Sequence, residues 1–476
     1  MAQPHDPKTF LINAWRPWKQ EESFAITDIE GEIPREIHGT LYRNGPSQKI
    51  DPPEGNQALH LFDGDALVHA WRIADGRVHF TGRYVRTPSF LIEQEEGRFC
   101  FSCVNYAPKD VSDRALLRES ANTNIVWHGG KLMALVENAW PFDLDPRTLD
   151  TLGKNDFQGK MLGMATSAHP KIDGKRGTMV IHGYQPFPPF VQYYEVSPDG
   201  TCTVAEPIET PCAVMMHDIG LTENYAIILQ CPITYDGEKL LSSGTVFADA
   251  LAWEPEKGLR FGIRRRGANQ TVRWFEAPTP GFMFHVGNAY EEGNKIVMDA
   301  CTYLNGQALL DSLRTWRRGE VKPGWTAKPF LYELDLETGR CTEKQLDDRG
   351  AEFPRLDERL VGYRNRYGYS ALNRVAEDNP LDTWSTIIKY DRQGGPSVIH
   401  DFGSATWPGE PVFVPRAADA AEDDGFVMTV VYDGPTDRSY LAILDARNLG
   451  GKPLARVHLP HPMPVGFHGN FATGIV

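Results

Sequence analysis

The feature that most constrains this chain is the recurrence, along most of its length, of short apolar-alternating runs broken by Gly, Asp and Asn. Residues 67–73 face 78–80 across Ala74-Asp75-Gly76, and Asp-Gly between alternating runs is the strongest short hairpin signal. Residues 125–127 turn at Gly129-Gly130 into 132–136, and 191–196 turn at Pro198-Asp199-Gly200. Tyr290 leads through Gly293-Asn294 into 296–300, 331–336 reach Thr338-Gly339, and 387–390 reach Gly394-Gly395. Residues 426–432 pass through Asp433-Gly434-Pro435 toward 440–445. Few stretches are long enough for an amphipathic helix. So many short strands would expose unpaired edges unless the sheets close, and radial repetition in blades is one way to close them. The sequence therefore predicts a closed all-β fold with a central axis, where residues distant in sequence meet. No WD or kelch signature repeats, so periodicity does not give the blade number.

The Pro-rich pieces at 185–190 and 460–464 read as rigid connections, and the charged stretch 314–328 as an exposed loop over one face. No composition shift marks a boundary, so 1–476 is expected to be one catalytic domain. Hydrophobic residues make up 41%, with 11 Trp, 17 Tyr and 23 Phe, ample for a large core. A formal net charge of -14 argues against nucleic acid or a polybasic membrane anchor. No uncharged run approaches the roughly 20 apolar residues of a membrane-spanning helix, and the N-terminus shows no apolar signal segment. Seven cysteines, an odd number, argue against a disulfide framework. Cys100 and Cys103 have C-x-x-C spacing without a second pair and read as strand residues. A cytoplasmic protein, monomeric or weakly oligomeric, is expected.

Four histidines stand out: His169 after Thr166-Ser167-Ala168, His217 between Met216 and Asp218, His285 after Phe284, and His468 within Gly466-Phe467-His468-Gly469. Neutral imidazole is the commonest transition-metal ligand. Any one of them alone reads as a hydrogen-bonded core residue. Their spacing fits no local metal loop, but suits strands that each bring one ligand to a common axis. Other candidates carry less. Asp63-Gly64-Asp65 lacks the further oxygen ligands of a calcium loop, His128 reads as a turn residue, and Ser167 has no G-x-S-x-G elbow.

Several segments together resemble the carotenoid cleavage oxygenase family. They are Leu41-Tyr42-Arg43-Asn44-Gly45-Pro46, His60-Leu61-Phe62-Asp63-Gly64-Asp65, Thr166-Ser167-Ala168-His169-Pro170, Met216-His217-Asp218, Phe284-His285 with 288–293, and Phe467-His468-Gly469. They follow the family order over nearly the whole chain and look most like its bacterial branch, which includes stilbene- and phenylpropenoid-cleaving enzymes. The resemblance implies a seven-bladed β-propeller with loops and short helices capping the active-site face. It implies one non-haem Fe(2+) held by His169, His217, His285 and His468. It also implies three outer carboxylates, Glu137 for His217, Glu352 for His285 and Glu410 for His468, each accepting the non-ligating imidazole N–H. His169 has none. Thr123 matches the residue that shields one open position. The implied chemistry adds O2 across a C=C bond and yields two carbonyl products without an external reductant; no G-x-G-x-x-G dinucleotide fingerprint is present.

Stilbene-cleaving relatives hold a 4-hydroxyl with a lysine before the first outer glutamate and a tyrosine upstream. Here Val136 and Cys103 occupy those places, while the apolar wall residue Phe62 is kept and Phe284 joins it. Neither a valine nor a neutral thiol supplies a strong charge-assisted hydrogen bond. The expected substrate is a small apolar aromatic alkene, stilbenoid or phenylpropenoid, less dependent on a 4-hydroxyl or gripped by other residues. An apocarotenoid is the alternative. An iron-dependent isomerase and a metal-free scaffold propeller are further alternatives, and zinc hydrolysis fits four protein ligands poorly.

Overall fold

A computed structural model describes residues 6–52, 60–101, 118–137, 139–241, 247–373 and 383–476. The chain is a seven-bladed β-propeller, each blade an antiparallel sheet of four or more strands. The hairpins expected from turn chemistry form. Asp65–Ala74 pairs with Arg77–Tyr84, Asn124–His128 with Lys131–Leu135, Val191–Val196 with Cys202–Ile208, and Gly425–Asp433 with Arg438–Asp445. At the first of these, Asp75 and Gly76 take φ of 51° and 71°, the left-handed pair that a two-residue hairpin turn matched to strand twist requires.

Both ends of the described chain are woven into neighbouring blades. Gly469–Thr473 pairs with Gly39–Arg43, Leu41 opposite Phe471. It is thereby the innermost strand of the blade that continues through Asp65–Ala74, Arg77–Tyr84 and Glu22–Ile26. Ile29–Gly31 adds an outer strand to the preceding blade, Ile29 opposite Val457. The ring is closed by hydrogen bonds between the two ends, which leaves no open blade edge there.

Met179–Tyr184 and Val191–Val196 are buried at every position, whereas the outer strand Cys202–Ile208 is partly exposed. The cause is packing: adjacent blades cover both faces of the inner strands. Short helices cap one end of the axis. Asn305 caps Gly306–Thr315 by accepting from Ala308 N at 3.0 Å, and Asp6 caps Pro7–Ala14 by accepting from Thr9 N at 3.0 Å. In the stretch 314–328 the charged residues Arg318, Glu320 and Lys322 are exposed as expected, while Trp316 and Trp325 turn inward and are buried, because removing an indole from water is favourable. His128 also departs: it ends the strand Asn124–His128, buried, with Nε2 2.9 Å from the Ser197 carbonyl. Among the described residues no helix is long and apolar enough to cross a membrane.

Candidate metal centre

Each innermost strand delivers one of the expected residues to the axis. Thr123 precedes Asn124–His128, His169 precedes Lys171–Ile172, and His217 precedes Ile219–Leu221. His285 lies in Phe282–Glu292, Glu352 in Ala351–Arg355, Glu410 between Thr406–Pro408 and Val412–Pro415, and His468 just before Gly469–Thr473. Glu137 is the exception, at the end of a second strand, past Lys131–Leu135. Irregularities re-aim side chains where alternation would send them apart. Register slips on both sides of His285 let Phe284 and His285 face the same cavity. A slip after Glu352, with Phe353 at φ 54°, does the same for that pair.

The four imidazoles converge. One nitrogen from each of His169, His217, His285 and His468 lies within 4.8 Å of the others, and all four residues are buried. Three have carboxylates at Nδ1: His217 contacts Glu137, His285 contacts Glu352, and His468 meets Glu410 Oε1 at 3.0 Å. An imidazole that donates Nδ1–H to a carboxylate presents Nε2 as its unprotonated nitrogen, and Nε2 of His285 and His468 stand 3.2 Å apart. Nε2 of His169 is buried with no hydrogen-bond partner among the described residues. An orphaned buried nitrogen beside converging imidazole nitrogens is a costly arrangement for a protein alone, and it is the donor set that iron, copper, nickel and zinc accept. The residues fit a metal ion.

The carboxylates differ in what stands behind them. Glu137 accepts the Tyr184 hydroxyl. Glu352 accepts Tyr303 O–H at 2.8 Å and Phe353 N–H at 2.8 Å. Glu410 accepts Gly469 N–H at 2.9 Å and meets Arg355 at 3.0 Å and Arg43 at 3.8 Å. Burial would raise the Glu410 carboxyl, but Arg355, His468 and Arg43 hold it well below the usual range. Burial, then the neighbouring imidazoles, pushes His169 well down. Burial brings His468 to about 4 against the pull of Glu410, whereas for His285 burial is outweighed by Glu352 and the value is raised.

Two cavities flank the histidines. The larger, about 200 Å³, is reached by His217, His285 and His468. Phe62, Val136, Phe284 and Thr123 line it, and Cys103 lies outside the described residues. Phe284 stands edge-on to His217 at 4.7 Å and to Phe62 at 6.1 Å. Asn122 places Phe62 by donating to its carbonyl at 2.9 Å. The smaller cavity, about 90 Å³, is reached by His169, His285 and His468 and is bordered by Lys171, Asp218, Arg355 and Glu410. Sequence reasoning missed Tyr184, Tyr235 and Tyr303, and the tryptophans Trp15, Trp316, Trp325 and Trp384 of the larger cavity. No local signal marks them. Arg43 lies within one of the family-like segments and Arg355 just past Glu352, where a buried arginine beside a carboxylate was findable.

A family model described as retinal pigment epithelial membrane protein (RPE65) matches residues 15–473. The isoeugenol monooxygenase of Pseudomonas nitroreducens is 33% identical, over 98% of this chain and 98% of that one. The crystal structure of Pseudomonas brassicacearum lignostilbene dioxygenase superposes with a TM-score of 0.88 at 29% identity, covering 100% of both chains. A cobalt-substituted Synechocystis apocarotenoid oxygenase superposes at 0.85 with 28% identity, over 99% of this chain and 100% of that one.

Proposed function

The chain belongs to the RPE65/carotenoid cleavage oxygenase family, and we propose that it is an iron(II)-dependent dioxygenase that cleaves the C=C bond of an aryl-conjugated alkene, a stilbenoid or phenylpropenoid. The observation that carries this reading is a buried four-imidazole cluster opening onto a cavity walled by aromatic side chains, in a chain whose relatives carry names of aryl-alkene oxygenases. His169, His217, His285 and His468 would hold a ferrous ion, which would supply O2 activation, and the net reaction would place one oxygen atom on each alkene carbon as the bond breaks to two carbonyls.

The chain's own residues set the conditions. Glu137, Glu352 and Glu410 fix the tautomer and ring orientation of three imidazoles, and their charge offsets a dication without using a coordination position. Thr123 borders the cavity beside the cluster, where it would screen a bound ion. Phe62, Phe284 and Phe353 hold an aromatic substrate and keep water from the reacting carbons. Val136 contributes shape and no hydrogen bond. Cys202, Cys212, Cys231, Cys301 and Cys341 are free thiols, which suits a reducing cytoplasm, and a monomer or weak oligomer completes the reading.

The test is turnover of iron-loaded protein under labelled O2 with 4-hydroxystilbenes, propenyl and vinyl phenols, and apocarotenals. Label in both carbonyl products, with aryl alkenes turned over fastest, is expected. Rearranged product without O2 uptake would make the protein an isomerase, preference for apocarotenals would move the substrate class, and failure to hold iron would leave a scaffold.

A further inference from the structure

We propose that the ion pair of Lys171 and Asp218 is a positioning clamp for the metal centre. It sets His169, the one histidine of the four without a carboxylate among the described residues, against His217 and His285. The inference rests on the four-histidine metal site and not on which alkene is cleaved.

The pair joins three strands at the residues next to their histidines. Asp218 directly follows His217, Val286 directly follows His285, and Lys171 stands two residues past His169. Oδ2 of Asp218 accepts the Lys171 ammonium at 2.9 Å and the Val286 N–H at 2.7 Å, and Oδ1 accepts the Ile219 N–H at 2.7 Å. Lys171 also donates to the Val286 carbonyl at 3.3 Å. The Asp218 side chain is 1% exposed and that of Lys171 18%, so solvent ions screen the contact little.

His217, His285 and His468 each have a carboxylate at Nδ1, which fixes the ring. His169 depends instead on where its backbone is held. One tie is Ser167, whose Oγ accepts the His169 N–H at 3.0 Å and donates to the His217 carbonyl at 2.8 Å. The other runs from Lys171 through Pro170, whose ring locks its own φ and restricts the residue before it. A shift at Lys171 therefore reaches His169 with little slack. Metal–ligand distances tolerate only about 0.2 Å of error, so anchoring this short strand matters more to the ion than to the blades. His468 lies outside the clamp, held through Glu410 by Arg355 and Arg43.

The test titrates cobalt(II) into the metal-free full chain under nitrogen, in competition with a chelator. The titration reads affinity, and the visible d–d bands of the bound ion read the arrangement of its ligands. Asp218→Asn should weaken cobalt binding by about 10–100-fold, the range for loss of an outer partner, and alter the bands. Lys171→Met should weaken it by less and alter the bands in the same way, because Asp218 keeps its two backbone N–H donors. The double variant should bind no more weakly than Asp218→Asn alone, since both changes remove one interaction. Circular dichroism checks folding, and should Asp218→Asn not fold, Lys171→Met decides by itself. A pair that served blade packing alone would lower the metal-free denaturant midpoint and leave the cobalt affinity and bands of the folded protein unchanged. That result for Lys171→Met, or losses that add in the double variant, overturns the proposal. Failure of the unchanged protein to bind cobalt or iron is a distinct result, which overturns the metal centre and the clamp with it.

Discussion

The two sides of the histidine cluster are built on opposite principles. Toward the larger cavity, the carboxylates behind His217 and His285 are backed by the neutral hydroxyls of Tyr184 and Tyr303. Toward the smaller cavity, the carboxylate behind His468 is backed by the guanidiniums of Arg355 and Arg43, and among the described residues His169 has no carboxylate partner. A hydroxyl orients a carboxylate and leaves its charge for the imidazole and the ion beyond. A guanidinium orients it and shares the charge. Glu137 and Glu352 are therefore placed to balance a metal ion, whereas Glu410 also holds together the strands that close the ring. Gly469, the first residue of the closing strand and next to His468, has no room for a Cβ against Arg43 and Tyr42, so that junction admits only glycine.

Variants at the carboxylates can break this contrast. Glu410→Gln keeps the shape but leaves the buried Arg43 guanidinium to backbone carbonyls, with no carboxylate facing it. Removing one partner of a buried pair costs about 3–5 kcal/mol, so its denaturant midpoint should fall furthest, with or without metal. An unchanged midpoint would erase the difference between the two sides. Glu352→Gln should leave the metal-free midpoint nearly in place and weaken iron binding by about 10–100-fold, read by metal analysis after dialysis against a chelator. A large loss of stability there would mean that Glu352 is as structural as Glu410. The smallest effect belongs to Tyr303→Phe, which removes one hydrogen bond to Glu352. About 0.5–1.5 kcal/mol is expected, appearing as a few-fold weaker iron affinity; no change would show that the hydroxyl does not orient the carboxylate.

The short-range signals in the chain were legible because they act over few residues. Asp75-Gly76 dictates its own turn whatever packs against it. The histidines and the three glutamates were legible through the segments around them. Asn44 and Asn122, in or beside such segments, prove to be fasteners: Asn44 donates to the Ala121 carbonyl at 2.7 Å, and Asn122 to the Gly64 carbonyl at 2.9 Å. The charged residues of 314–328 are exposed as expected, but charge along a segment does not say where its tryptophans go, and Trp316 and Trp325 are buried.

By itself, then, the sequence determined an all-β architecture of repeated hairpins and the identity of the groups that meet on its axis. Tertiary structure alone decided which residues wall the pocket, which hydroxyl or guanidinium stands behind each carboxylate, and how Phe284 and His285 come to face one cavity. The reason is range. Turn preference is settled by a residue and its neighbours, whereas Tyr184 reaches Glu137, and Arg43 reaches Glu410, only once separate blades have packed around the axis.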